Sequence, residues 1–85
     1  MTIGTSVRGE IRGFIEEEFL YLRPDLQLRD DDPLLTLGVI DSLGFVELVE
    51  EVQTRYGVAV PDTEITEENF GSIAAIARYV ERKRA

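Results

Sequence analysis

Apolar positions recur at helical spacing in four stretches of the chain. The first predicted helix runs from about Thr5 to Leu22, with Val7, Ile11, Phe14, Ile15 and Leu22 on its inward side. Thr5 or Ser6 can cap its start, and Pro24 ends it. Gly9 and Gly13 each weaken it by roughly 1 kcal/mol relative to alanine, so packing has to hold it. The second helix runs from Ser42 to Tyr56 and stops at Gly57. A short turn of helix is predicted over Thr66 to Phe70, capped by Thr66, with Glu67 and Glu68 at its positive end. The last helix runs from Ser72 to about Arg84 and turns Ile73, Ile76, Ala77 and Val80 inward. Its closing Arg82, Lys83 and Arg84 sit where the helix dipole favours cations, which accounts for them without a basic-tail function. The pattern therefore predicts an all-α fold, a small bundle of three main helices and one short one.

Between the first two helices lies a long connection, Arg23 to Asp41. It carries Leu26, Leu28, Leu34, Leu35, Leu37 and Ile40, so it is expected to lie on the bundle. Asp30, Asp31 and Asp32 within it read as a solvated acidic face. A calcium loop is the sharper reading, but the Asp-x-Asp-x-Asp-Gly spacing it needs is missing.

On a helical wheel with Leu43 at zero, Phe45, Leu48, Val49, Val52 and Tyr56 cluster between about 140° and 240°. Leu43 and Val46 fall outside that stripe, on a face shared with Glu47, Glu50 and Thr54. Two readings stay open. Scattered surface apolar residues are common; alternatively, the pair forms a docking patch ringed by acids.

Composition narrows the function. The chain has 85 residues, one small domain that buries only about 60% of its unfolded surface. Such a core leaves no room for a deep substrate cleft. There is no cysteine and no histidine, which removes disulfides, thiolate or imidazole metal ligation, a cysteine nucleophile and a Ser-His-Asp triad. Carboxylates are plentiful, but nothing places two of them in a cleft as acid and base, so an enzyme is not expected. The longest apolar run is five residues, Ile73 to Ala77, far short of a membrane span. The first ten residues hold no apolar signal region, and a cytoplasmic location is the expectation. Net charge is −8. From Asp30 to Glu68 there are eleven acids and one base, so the middle of the chain is the acidic part. Nucleic acid and anionic membranes are disfavoured, and a partner with a basic patch is favoured.

Ser42 stands at the start of the second helix, after Asp41. Both residue types are preferred helix caps. A helix start also tolerates a phosphate, and a serine at the end of a loop is open to a modifying enzyme. The surrounding run, Leu37-Gly38-Val39-Ile40-Asp41-Ser42-Leu43, resembles the Leu-Gly-x-x-Asp-Ser-Leu signature of the acyl carrier and peptidyl carrier superfamily. Tyr56-Gly57-Val58-Ala59-Val60-Pro61 is similar to the family's aromatic-Gly-x-x-x-Pro exit from the second helix. The segments Ile65 to Phe70 and Ser72 to Ile76 resemble the third and fourth helices of stand-alone carriers.

The resemblance implies a single carrier domain over residues 1–85, acyl-carrier-protein-like and monomeric. Ser42 would receive a covalent 4'-phosphopantetheine from coenzyme A through a magnesium-dependent phosphopantetheinyl transferase. Acyl or aminoacyl cargo would ride on that arm as a thioester. Asp41, Leu43, Val46, Glu47 and Glu50 would meet cargo-loading and cargo-using enzymes that carry basic docking patches. Gly44, Gln53 and Thr54 replace acids common in bacterial fatty-acid carriers, and the third-helix region is longer. A dedicated carrier for polyketide, nonribosomal-peptide or aminoacyl chemistry is therefore preferred over a housekeeping fatty-acid role. The alternative from another class is an unmodified acidic interaction module on the same fold.

Overall fold

The computed structural model describes residues 6–21, 23 and 25–84. Among them are four α-helices and no strand: α1 (Val7–Phe19), α2 (Ser42–Tyr56), α3 (Glu67–Phe70) and α4 (Ile73–Arg84). A 3-10 turn, Asp62–Glu64, precedes α3 and was not expected from the sequence pattern. None of the described helices is long and apolar enough to cross a membrane.

Ser6 caps α1 by accepting the Gly9 amide hydrogen at 3.0 Å. Ile11 and Ile15 are buried, with Val7 and Phe14 half-buried beside them. The helix ends at Phe19, earlier than predicted, so Pro24 is not its stop. The cause is electrostatic and apolar at once. Glu16, Glu17 and Glu18 crowd the negative end of the helix with no base in the last turn, while Leu20 leaves the helix to bury itself in the core. The expected boundary residues Thr5 and Leu22, and Pro24, lie outside the described residues.

The 20–41 connection is part of the bundle, as its leucines predict. Leu28, Leu34, Val39 and Ile40 are buried, and Leu26 and Leu35 pack against them. Leu37 departs from the expectation, at 40% exposure. Backbone bonds fasten the connection to the last helix region: Leu34 N–H to the Gly71 carbonyl at 2.8 Å, and Ala74 N–H to the Asp30 carbonyl at 2.9 Å. The acidic run is not merely solvated. Asp30 takes hydrogen bonds from Arg12 at 2.6 Å and Arg8 at 3.3 Å, and Asp32 accepts the Arg29 amide hydrogen at 2.8 Å. The Arg12 hydrogen bond, with the charges of Arg12 and Arg8, holds the Asp30 carboxyl below its ordinary range. No cluster of acids fit for a metal occurs among the described residues.

Helix α4 is the mast of the core. Ile73, Ile76, Ala77 and Val80 are buried as predicted, and so are Ala74, Ala75 and Tyr79. Three small alanines, all buried, suit the close approach of the connection, whose Asp30 carbonyl accepts the Ala74 amide hydrogen. Phe70 joins the layers, with its ring 4.8 Å from Tyr79 and 6.4 Å from Phe45, centroid to centroid. The Tyr79 hydroxyl donates to Glu64 at 2.6 Å, and burial followed by that bond pushes its pKa up to about 12. The basic end of α4 is held on the protein itself. Lys83 pairs with Glu64 at 3.1 Å, Arg82 lies over the Tyr79 ring and Arg84 over the Tyr56 ring.

Candidate functional site

The approach to Ser42 is built by a turn. Gly38 adopts φ +73°, a left-handed conformation that a side chain would strain. There the chain reverses, with Leu37 N–H on the Pro33 carbonyl and Val39 N–H on the Leu34 carbonyl, each at 3.0 Å. Val39 and Ile40 then drop into the core and anchor the start of α2. Asp41 is extended, and its carboxylate accepts the Gly44 amide hydrogen at 2.7 Å. Asp41, not Ser42, is therefore the cap of α2. The Phe45 amide opens the helical ladder on the Asp41 carbonyl at 2.8 Å.

Ser42 becomes the first residue of α2. It is exposed, and its hydroxyl takes part in none of the side-chain hydrogen bonds among the described residues. The amides of Ser42 and Leu43 have no acceptor within the helix, because they precede its first turn. No acid lies in that first turn. The positive end of the helix dipole is thus available beside the hydroxyl.

The core stripe of α2 is as the wheel predicts. Phe45, Leu48, Val49 and Val52 are buried and Tyr56 is half-buried, its hydroxyl donating to Glu10 at 2.6 Å. Leu43 is 68% exposed and Val46 50% exposed. Glu47 and Glu50 are exposed too, as is Asp41. Positions 43, 46, 47 and 50 share one helix face. Four of the five predicted partner-facing residues thus share one exposed face, and Asp41 and Ser42 are exposed at the start of the same helix. Gln53 has a local role, since its side chain accepts the Val60 amide hydrogen at 3.0 Å and fixes the exit past Gly57.

Sequence reasoning missed a groove between the end of α1 and the start of α2, lined by Asp41 and Leu43 but not by Ser42. It holds roughly 330 Å³, walled by Phe19 of α1, the Gly38–Asp41 run, and Leu43, Gly44 and Glu47 of α2. The Phe19 ring packs closely over Gly44, where an added β-carbon would come within 2.9 Å of it. The absence of an acid at position 44 was the only hint in the sequence. Nothing in the periodicity of α1 ties Phe19 to α2.

The family described as "Phosphopantetheine attachment site" matches residues 11–80. A D-alanyl carrier protein of Streptococcus suis (strain 05ZYH33) is 35% identical over 66 residues, 78% of this chain and 80% of the relative. A D-alanyl carrier protein of Streptococcus pyogenes serotype M5 (strain Manfredo) is 33% identical over 72 residues, covering 79% and 91%. Among solved structures, a chain described as "Crystal structure of FAD-dependent dehydrogenase" superposes with a TM-score of 0.70 at 36% identity, covering 82% of this chain and 97% of that one. The family match runs from the middle of α1 almost to the end of α4, and the relatives agree with it. The chain accordingly belongs to the phosphopantetheine-binding carrier proteins, which are not catalysts but carry a covalently attached 4'-phosphopantetheine.

Proposed function

We propose that Ser42 bears the arm and that the cargo is a small aminoacyl group held as a thioester. The carrying observation is the division of labour at the start of α2. Asp41 takes the cap, which leaves the Ser42 hydroxyl exposed and unclaimed. A phosphodiester fits there, next to amides with no helical partner and at the positive end of a 15-residue helix. When bound, the arm supplies the thiol that a chain without cysteine lacks. Of the pathways open from the sequence, the aminoacyl one is best supported, since the relatives are named D-alanyl carriers. The similar solved chain, named for an FAD-dependent dehydrogenase, favours such an enzyme as one further class of partner. That reading predicts a loaded carrier whose mass falls by two hydrogens on exposure to such an enzyme.

The face made by Asp41, Leu43, Val46, Glu47 and Glu50 is the proposed meeting surface for the transferase and for loading enzymes. Each rim ion pair is worth about 0–1 kcal/mol, which suits encounters that have to end quickly.

The test is incubation with coenzyme A, magnesium and a broad-specificity phosphopantetheinyl transferase. Intact mass should rise by one phosphopantetheinyl group, and Ser42→Ala should abolish the gain. No gain under conditions that modify a control carrier favours the unmodified interaction module.

A further inference from the structure

Among the described residues, the large apolar side chains that stand exposed are Tyr21, Leu37, Leu43 and Val46. Three of these flank Ser42 closely in the chain. Leu43 and Val46 belong to the α2 face already assigned to partners, but Leu37 does not. It lies in the connection, where Leu34 is buried and Leu35 packs against the core. The turn is what holds Leu37 out. Its own N–H is bound to the Pro33 carbonyl at 3.0 Å, and Gly38 follows at φ +73°. Val39 and Ile40 then enter the core. The backbone is fixed on both sides of Leu37, so its exposure is built into the fold.

The groove between α1 and α2 relates Leu37 to the helix face. One bank is the Gly38–Asp41 run, which Leu37 immediately precedes, and the other carries Leu43, Gly44 and Glu47. The charged groups that line it are Asp41 and Glu47; Arg23 lies 3.4 Å from the Gly38 carbonyl but does not line the groove. Exposed apolar residues rimmed by charge of one sign are the form of an interaction site. We propose that Leu37 is a specificity-determining contact for the enzymes that act at Ser42, which grip the carrier on both banks, by Leu37 on one and by Leu43 and Val46 on the other. The partner chemistry is an apolar side chain seated on Leu37, flanked by lysine or arginine that faces Asp41 and Glu47. The inference rests on the assignment of the arm to Ser42 and carries its meeting surface from α2 onto the connection. Ion pairs at a rim hold weakly and fade in salt. A leucine covered by a partner adds attraction that salt does not screen. Contact on a second bank also sets the angle at which the partner approaches the helix start.

Steady-state modification by the broad-specificity transferase, with coenzyme A, magnesium and intact mass as the readout, compares the parent with Leu37→Ala and Leu37→Met. Leu37→Ala is expected to raise KM for the carrier roughly three- to tenfold, the effect of losing part of one leucine contact, while kcat holds. Leu37→Met is apolar and of similar volume, and should restore KM to within about twofold of the parent. The Leu37→Ala deficit should persist at about 0.5 M salt, where rim ion pairs are screened. Thermal melts set an assay temperature at which every variant is folded, so lost stability alone does not raise KM. An unchanged KM in Leu37→Ala overturns the inference, and the mass gain then leaves the Ser42 assignment standing. A KM raised equally by Leu37→Met places the effect in the turn backbone and overturns the contact, as does a deficit that vanishes in salt. Absence of the mass gain in the parent overturns both readings.

Discussion

The Asp41 carboxylate caps the Gly44 amide at 2.7 Å, spanning Ser42 and Leu43 in the chain. Removing this bond by Asp41→Ala is expected to cost about 1 kcal/mol. For a domain of this size that lowers Tm by roughly 4–8 °C. Ser42→Ala should stay within about 0.5 kcal/mol of the parent, since its hydroxyl holds nothing in the fold. Thermal melts followed by circular dichroism compare the two. A Ser42→Ala loss equal to that of Asp41→Ala would show that the hydroxyl is structural.

Glu47 and Glu50 are exposed on the face that carries Leu43 and Val46, and neither forms a salt bridge among the described residues. Glu47→Lys with Glu50→Lys should therefore leave the helical spectrum intact. At low salt it should slow modification or loading, by up to roughly thirtyfold for two rim pairs. The deficit should shrink as salt approaches about 0.1 M or more, where the screening length falls to about 10 Å. Unchanged kinetics at low salt would remove this face from the docking account.

The outline of α2 was legible because every local signal agreed, from Asp41 to the glycine at φ +65° that ends it. The outward pair Leu43 and Val46 was legible for the same reason, since a wheel resolves a 15-residue helix well. The end of α1 was not, because proline was the only visible stop, while the three glutamates and the inward turn of Leu20 acted first. Burial of Tyr79 was missed because its cover comes from outside α4, with the Phe70 ring 4.8 Å from its own and its hydroxyl donating to Glu64 at 2.6 Å. The groove depends on Phe19 meeting Gly44 across 25 residues of chain, a contact that no periodicity encodes.

Asp30 ties the connection to α1, and its pH signature has a definite sign. Its carboxyl is held below the ordinary value of about 4 by the Arg12 hydrogen bond, then by the charges of Arg12 and Arg8. Its contribution is present above that ordinary value and is lost as pH falls through the lower folded one. Asp30→Asn should be less stable than the parent at about pH 7, and the gap should close as the solution is acidified below about pH 4. Relief of the general negative charge acts on both proteins alike, so the difference between parallel denaturation curves isolates the pair. A gap that persists undiminished at about pH 2 would assign the loss to packing and not to charge.

Two helical glycines should respond oppositely to the same substitution. Alanine is favoured over glycine in a helix interior by about 1 kcal/mol. At Gly13 an added β-carbon meets nothing within 4 Å, so Gly13→Ala should raise stability by roughly that amount. At Gly44 it meets the Phe19 ring at 2.9 Å, with Ile40 and the Asp41 carboxylate at 3.3 Å. Overpacking of this kind costs about 1–3 kcal/mol, enough to cancel or outweigh the helix gain. The ring is the yielding partner, because it is the far end of a side chain, so Phe19 should swing out and the groove change shape. Gly44→Ala is therefore expected to be neutral to about 2 kcal/mol destabilising, with altered Phe19 ring signals by NMR. If it matched the gain of Gly13→Ala and left those signals in place, Phe19 would not be packed on α2.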